Sequence, residues 1–169
     1  MTERLSLRQY ASDDRTRVDA VMEAALRDTG AYFEEVPHAS TAPIEEEYLD
    51  SGGEFLVGEV DSEIVAIGAF RPVGGLVSEY LDSIADGTVE LKRIHVAPEQ
   101  QRLGYGQQIL DELQRRAHNR GYTALVLLTT SLQKAAHRFY ESNGFIEIDR
   151  TRVTAAGKSF DDIIYRKYL

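Results

Sequence analysis

The hexapeptide Gln101-Arg102-Leu103-Gly104-Tyr105-Gly106 constrains this chain most. It joins a strand-like run, Val89-Glu90-Leu91-Lys92-Arg93-Ile94-His95-Val96, to a helix-like one over residues 107–120. A glycine-containing turn that opens a helix leaves the first backbone N–H groups without intrahelical partners at the positive end of the macrodipole. Phosphate oxygens fit such a position. Gly104 and Gly106 lack a Cβ, so the backbone can approach a ligand closely and take turn conformations that other residues resist. The six residues alone also allow a second reading, in which the glycines serve turn geometry only. A dinucleotide fingerprint would need its third glycine where Ile109 stands, and the Gly-Lys-Ser/Thr of a P-loop is absent.

Periodicity places this turn within a longer order of elements. Residues 5–10 alternate at period two, and Asp13-Asp14 precedes Val18, Val21, Met22, Ala25 and Leu26 at helical spacing, so a strand leads into an N-capped helix. Residues 29–43 read as a loop and 44–49 as a short helix. Two apolar runs, 54–60 and 64–70, flank Asp61-Ser62-Glu63 in the pattern of a tight hairpin. Residues 74–87 receive no firm structure. A regular strand over 88–96 would put Glu90, Lys92, Ile94 and Val96 on one side and Leu91, Arg93 and His95 on the other. In the helix that follows, Ile109, Leu110, Leu113 and Ala117 form an apolar stripe, and Gly121 ends it. Leu125-Val126-Leu127-Leu128 is apolar without alternation, as expected of a central strand covered on both faces. Residues 133–142 read as a helix, and 145–152 and 160–168 as two closing strands.

Composition bounds the class. A chain of 169 residues, 43% hydrophobic, can bury the core of one domain spanning residues 1–169. There is no cysteine, hence no disulfide framework and no thiol nucleophile, and four scattered histidines give no metal-ligand spacing. No metal is expected. The formal net charge of -9 argues against a nucleic-acid partner, which would require a basic patch. With neither a signal-like N-terminus nor a membrane-length apolar run, a cytoplasmic protein without a membrane partner is the simplest expectation.

The turn, read with its surroundings, resembles the Gln/Arg-x-x-Gly-x-Gly/Ala signature of the GNAT superfamily of acyl-CoA-dependent N-acetyltransferases. Leu91-Lys92-Arg93-Ile94-His95-Val96-Ala97-Pro98 is similar to that family's splayed fourth strand. Ala136-His137-Arg138-Phe139-Tyr140-Glu141-Ser142-Asn143-Gly144-Phe145 is similar to its late helix and the turn beyond. The resemblance implies an α/β (mixed α+β) fold, with a central mixed sheet, helices on both faces and two diverging strands that admit the pantetheine arm of acetyl-CoA, the co-substrate. The backbone amides of Gln101, Arg102, Leu103, Gly104, Tyr105, Gly106 and Gln107 would surround its pyrophosphate. Ile94 and Val96 would offer strand-edge groups to the pantetheine. Gln133 stands where many members have an asparagine that contacts the coenzyme.

The implied chemistry is direct attack of a primary amine on the acetyl thioester in a ternary complex. Glu90, fourteen residues before Gly104, occupies the position of a carboxylate that deprotonates the ammonium directly or through water. On the residues alone it could equally pair with Lys92 or Arg93. Tyr140 matches the tyrosine that protonates the departing thiolate, with plain packing beside Phe139 as the other reading. The N–H of Val96 would stabilise the thioester oxygen. His95 and His137 lie near the expected cleft, where a lone histidine is more often structural. The acceptor, a small molecule or a peptide, has no motif. Glu34, Glu35 and Glu45-Glu46-Glu47 suggest attraction of a cationic amine, or a solvated face. Two other function classes stay open, a non-catalytic acetyl-CoA-binding sensor and an interaction module whose closing strands pair with another subunit, a homodimer included.

Overall fold

The computed structural model describes residues 3–32 and 42–169. Seven strands form one mixed sheet: β1 (Ser6–Gln9), β2 (Glu54–Val60), β3 (Glu63–Pro72), β4 (Thr88–Val96), β5 (Ala124–Thr130), β6 (Ile146–Ala155) and β7 (Lys158–Tyr168). Their spatial order is β1-β2-β3-β4-β5-β7-β6, and every pairing is antiparallel except the parallel β4–β5 contact. Among the described residues four α-helices accompany them, α1 (Arg15–Thr29), α2 (Gly75–Tyr80), α3 (Tyr105–Asn119) and α4 (Lys134–Ser142). Among the described residues no helix is long and apolar enough to cross a membrane.

Alternation along the strands divides the core between the two faces. On one, Leu56, Val89, Leu91, Leu125 and Leu127 meet the α3 stripe of Ile109, Leu110, Leu113 and Ala117, with Phe139 and Tyr140 of α4 packed alongside. On the other, Phe55, Val57, Ile67 and Ala69 meet Val18, Val21, Met22 and Leu26 of α1. There α2 adds Val77 over Val126 and Ile164. The expected sheet with helices on both faces is therefore present, and β5 lies inside it.

Several local expectations are corrected. Residues 75–80, which received no firm structure despite some helical periodicity in Leu76 and Tyr80, form α2, a six-residue helix that begins on Gly75. The short helix expected at 44–49 is a π-helical turn, Glu45–Leu49. The closing strands are longer than expected and run to Ala155 and from Lys158. Only β6 of that pair lies at the sheet edge, since β7 is sandwiched between β5 and β6.

The correction that matters most for the site lies in β4. Pairing with β3 shifts between Ala69↔Lys92 and Ile67↔His95, so Arg93 and Ile94 together oppose Gly68. Arg93 takes a left-handed φ of 62°. This bulge breaks the alternation assumed for a regular strand. Arg93 turns to the α1 face, where its Nε donates to the Tyr48 hydroxyl at 3.1 Å. Ile94 and Val96 now pack on the same α3-face cluster as Val89 and Leu91.

Candidate active site

The parallel β4–β5 ladder is short. It holds Thr88↔Ala124, Val89↔Leu125 and Glu90↔Val126, and beyond that point the strands diverge. The antiparallel partners of β4 and β5 continue past it, so the gap opens within an otherwise paired sheet. On β4 the residues bordering the gap have no strand partner on the β5 side. The Ala97 N–H reaches Val65 O on β3 at 2.8 Å. Successive residues of a strand turn their backbone groups to opposite sides. Val96, one residue back, therefore points its N–H and C=O away from β3, into the gap. The Gln101 side chain confirms that direction, its Nε2 donating to Val96 O at 3.1 Å.

A cavity of about 450 Å³ occupies the gap. Ala25, Leu26 and Thr29 of α1 border it on one face of the sheet, and Ala135, Ala136, Phe139 and Tyr140 of α4 on the other. It therefore passes through the sheet. Its far wall is the turn at Gln100 to Arg102 with the start of α3, namely Gly104, Tyr105, Gly106 and Gln107. No side chain caps α3, and its preceding residue Gly104 has φ 86°. The first N–H groups of the helix are left to a ligand or to solvent. A Cβ at Gly104 would find nothing within 4 Å, and one at Gly106 would make ordinary contacts with Val96 Cγ2 at 3.7 Å and Phe139 Cζ at 4.0 Å. The open space beside both glycines is what close approach of a phosphate requires.

Of the residues expected to bind coenzyme, Ile94, Val96, Gln101, Arg102, Gly104, Tyr105, Gly106, Gln107 and Gln133 all border this cavity. Leu103 does not and is 42% exposed. Tyr105 contributes backbone, since its ring is buried and its hydroxyl donates to Glu3 O at 2.9 Å. Gln133 precedes α4 and its Oε1 accepts from the Thr129 hydroxyl at 3.0 Å. Tyr140 lines the cavity against Phe139, Phe145 and Tyr165, and burial pushes its phenol well above the ordinary tyrosine range. His95 also lines the cavity. Burial, reinforced by the Arg93 charge, pushes its imidazole down to about 4, so it is neutral at physiological pH. His137 Nε2 contacts Thr130 O at 2.7 Å, a structural link between α4 and β5.

Glu90 does not border the cavity. It sits at the apex of the gap, on the α1/α2 face, with its side chain 4% exposed. Its neighbours are Arg71 Nη2 at 3.7 Å, Lys92 Nζ at 3.5 Å and the Gly74 N–H at 3.3 Å. Lys92 is lowered from the ordinary lysine value by burial, an effect that Glu90 partly offsets. The acidic run at 45–47 is divided: Glu46 is exposed, whereas Glu47 is bound to Arg71 Nη1 at 2.7 Å. Glu34 and Glu35 lie outside the described residues. Among the described residues no group of three or more His, Cys, Asp or Glu is placed to hold a metal ion.

Sequence reasoning missed Ala25, Leu26, Thr29, Gln100, Ala135 and Phe139. The apolar stripe of α1 was legible, but not that its last turn overhangs the gap.

The sequence model of the acetyltransferase (GNAT) family matches residues 18–145. N-acetylaspartate synthetase of Homo sapiens is 34% identical over 116 residues, which cover 68% of this chain and 35% of that protein. The probable N-acetyltransferase camello of Xenopus tropicalis is 32% identical over 103 residues, covering 60% of this chain and 43% of that protein. The chain thus spans about a third of the length of the N-acetylaspartate synthetases it matches. Among solved structures, the ribosomal-protein-alanine N-acetyltransferase of Brucella melitensis superposes with a TM-score of 0.77 at 21% identity, over 97% of this chain and 99% of that one. The PaiA N-acetyltransferase of Thermoplasma acidophilum, solved with coenzyme A, gives 0.75 at 20% identity over 100% of both chains. These two share the fold.

Proposed function

The chain belongs to the acetyltransferase (GNAT) family, and from that premise we propose that it moves an acetyl group from acetyl-CoA to a primary amine by direct attack within a ternary complex. The observation that carries this reading is the cavity that runs from the uncapped start of α3, past the unpaired edge of β4, to Tyr140. It offers N–H groups for a pyrophosphate, strand-edge groups for an amide-bearing arm and a phenol at its wall.

Each chemical demand of the transfer has a residue. At the α3 turn the amides of residues 101, 102 and 104–107 hold the pyrophosphate, and Arg102 adds a charge-assisted bond of about 1.5–3 kcal/mol. Ile94 and Val96 align the pantetheine along β4. Glu90 takes a proton from the incoming ammonium, directly or through water, leaving a neutral amine. The amine nitrogen then bonds to the thioester carbon while the carbon–sulfur bond breaks. The Val96 N–H, turned into the gap, stabilises the carbonyl oxygen as it gains negative charge. Tyr140, kept protonated by burial, gives its proton to the departing thiolate, and the proton that the nitrogen sheds on becoming an amide restores the phenol. The apex position of Glu90 supports an acceptor arriving from the face opposite the thiolate. By name the matched synthetases make N-acetylaspartate, and an amino acid falls within the primary-amine class.

A panel of amines offered with acetyl-CoA, read by release of free thiol, tests the reading. Turnover of at least one primary amine is expected. Absence of both turnover and acetyl-CoA binding would refute it.

A further inference from the structure

Among the buried carboxylates of the described residues, Glu54 and Glu90 are treated very differently. Glu54 is fully buried, and its oxygens receive Arg120 Nη2 at 2.7 Å, Arg116 Nη1 at 3.0 Å, Gln9 Nε2 at 2.8 Å and the Phe55 N–H at 3.1 Å. A buried charge with a closed shell of short bonds is what a structural role demands. Glu90 is nearly as buried, at 3%, yet its three neighbours stand off at 3.3, 3.5 and 3.7 Å. Two of the three, Lys92 and Arg71, are cations, and both are loosely placed around it.

Arg71 is itself incompletely satisfied. It faces Glu90 across the β3–β4 ladder and commits Nη1 to Glu47, but its Nε is buried with no hydrogen-bond partner among the described residues. An orphaned buried donor costs about 1–3 kcal/mol, and in a native fold it calls for a reason. Lys92 lies one pleat along from Glu90 on the same face, and at 31% exposure its side chain keeps contact with solvent. The apex of the gap therefore holds a carboxylate flanked by a guanidinium with a spare donor and a half-buried ammonium.

Resting on the acetyl-transfer reading, we propose that the acceptor is a small amino acid, whose ammonium goes to Glu90 and whose carboxylate is held by Arg71 and Lys92. A zwitterion matches the set charge for charge. Its carboxylate supplies the acceptor oxygen that Arg71 Nε lacks and a second anion for Lys92 Nζ, whose Glu90 partner stands at 3.5 Å, and it brings the amine to the only one of these groups that can take its proton. A purely cationic amine would leave the Arg71 donor orphaned and meet two repelling charges. The expectation of a cationic acceptor drawn from the acidic runs is replaced accordingly, Glu47 being already engaged by Arg71.

The test compares α-amino acids with the amines formed by removing their carboxylate, in wild type, Arg71→Gln, Arg71→Lys and Lys92→Gln, with acetyl-CoA affinity measured in each by calorimetry. Wild type should use amino acids at least tenfold better in kcat/KM. Arg71→Gln and Lys92→Gln should erase that preference, mainly by raising the amino-acid KM tenfold to a hundredfold, with acetyl-CoA affinity unchanged. Arg71→Lys should restore part of it. Equal use of both acceptor classes by wild type, or an equal loss for both in Lys92→Gln and Arg71→Gln, would overturn the assignment while leaving acetyl transfer standing. Failure of wild type to bind acetyl-CoA or to turn over any amine would remove both.

Discussion

Glu90 and Val126 are the last residues at which β4 and β5 remain paired. One step further the strands part and the cavity begins, so the glutamate is fixed by a ladder while the groups around the coenzyme are fixed by a gap. If it is the base, Glu90→Gln should lower turnover by about two to four orders of magnitude with coenzyme affinity nearly intact, and the deficit should shrink at high pH, where free amine is available. A pH–rate profile of the two proteins decides this; a loss uniform across pH would reduce Glu90 to a positioning role.

Tyr140→Phe should also slow turnover, with no recovery in alkali, because the lost function is a proton donated to a thiolate. Burial holds the phenol above the ordinary range, so in wild type the residue should remain a donor to at least pH 10, near the ordinary tyrosine pKa. Wild-type activity declining below that pH with the titration of a tyrosine would contradict the assignment.

Gly104→Glu should abolish acetyl-CoA binding in calorimetry while leaving a folded protein. The Cβ has free space, and the cost of a non-glycine residue at φ 86° is about 1–2 kcal/mol. The carboxylate would take the place of a phosphate at the helix start. Unchanged affinity in a folded variant would dissociate the turn from the coenzyme.

Gly68→Ala should destabilise the fold by about 1–3 kcal/mol, since a methyl group there would collide with Ile109 Cγ2 and stand 3.0 Å from Leu113 Cδ1 and 3.3 Å from Ile94 Cγ1. Because Gly68 opposes the bulge, Ile94 should also shift, so coenzyme affinity should fall together with the denaturation midpoint. A variant with wild-type stability would show that β3 and α3 can separate at no cost.

His95 makes a pH prediction with a definite sign. Its folded-state value of about 4 lies below the ordinary value near 6.5, so the unfolded chain binds more protons between those limits. The contribution of the half-buried neutral imidazole is complete above pH 6.5 and is lost as pH falls toward 4. Urea midpoints measured across that window should decline in wild type and decline less in His95→Gln.

The parts of the site that were legible in the sequence are those carried by neighbours along the chain. Gln101 to Gly106 announces an open helix start because the glycines and the helix are contiguous, and Phe139-Tyr140 stands in an equally local pattern. The bulge at Arg93 was not legible, because the residue it opposes, Gly68, lies on another strand. Likewise the periodicity of α1 shows which residues turn inward, but not that the sheet beneath Ala25 and Leu26 has a gap. Arg71 drew no attention in a hairpin ending at Pro72; only the register that sets it opposite Glu90 gives it a part.

Helix α3 is unevenly finished. Its C-terminal turn is anchored through Arg116 and Arg120 to the buried Glu54, whereas its N-terminus has no cap. With glycine at the cap position the missing side-chain cap forgoes only about a few tenths of a kcal/mol, and an anion lodged among the same N–H groups more than restores it. In folding terms the coenzyme would complete a secondary structure that the chain leaves unfinished. Melting temperature should accordingly climb with the logarithm of coenzyme concentration above its Kd, and bare pyrophosphate should reproduce part of that rise.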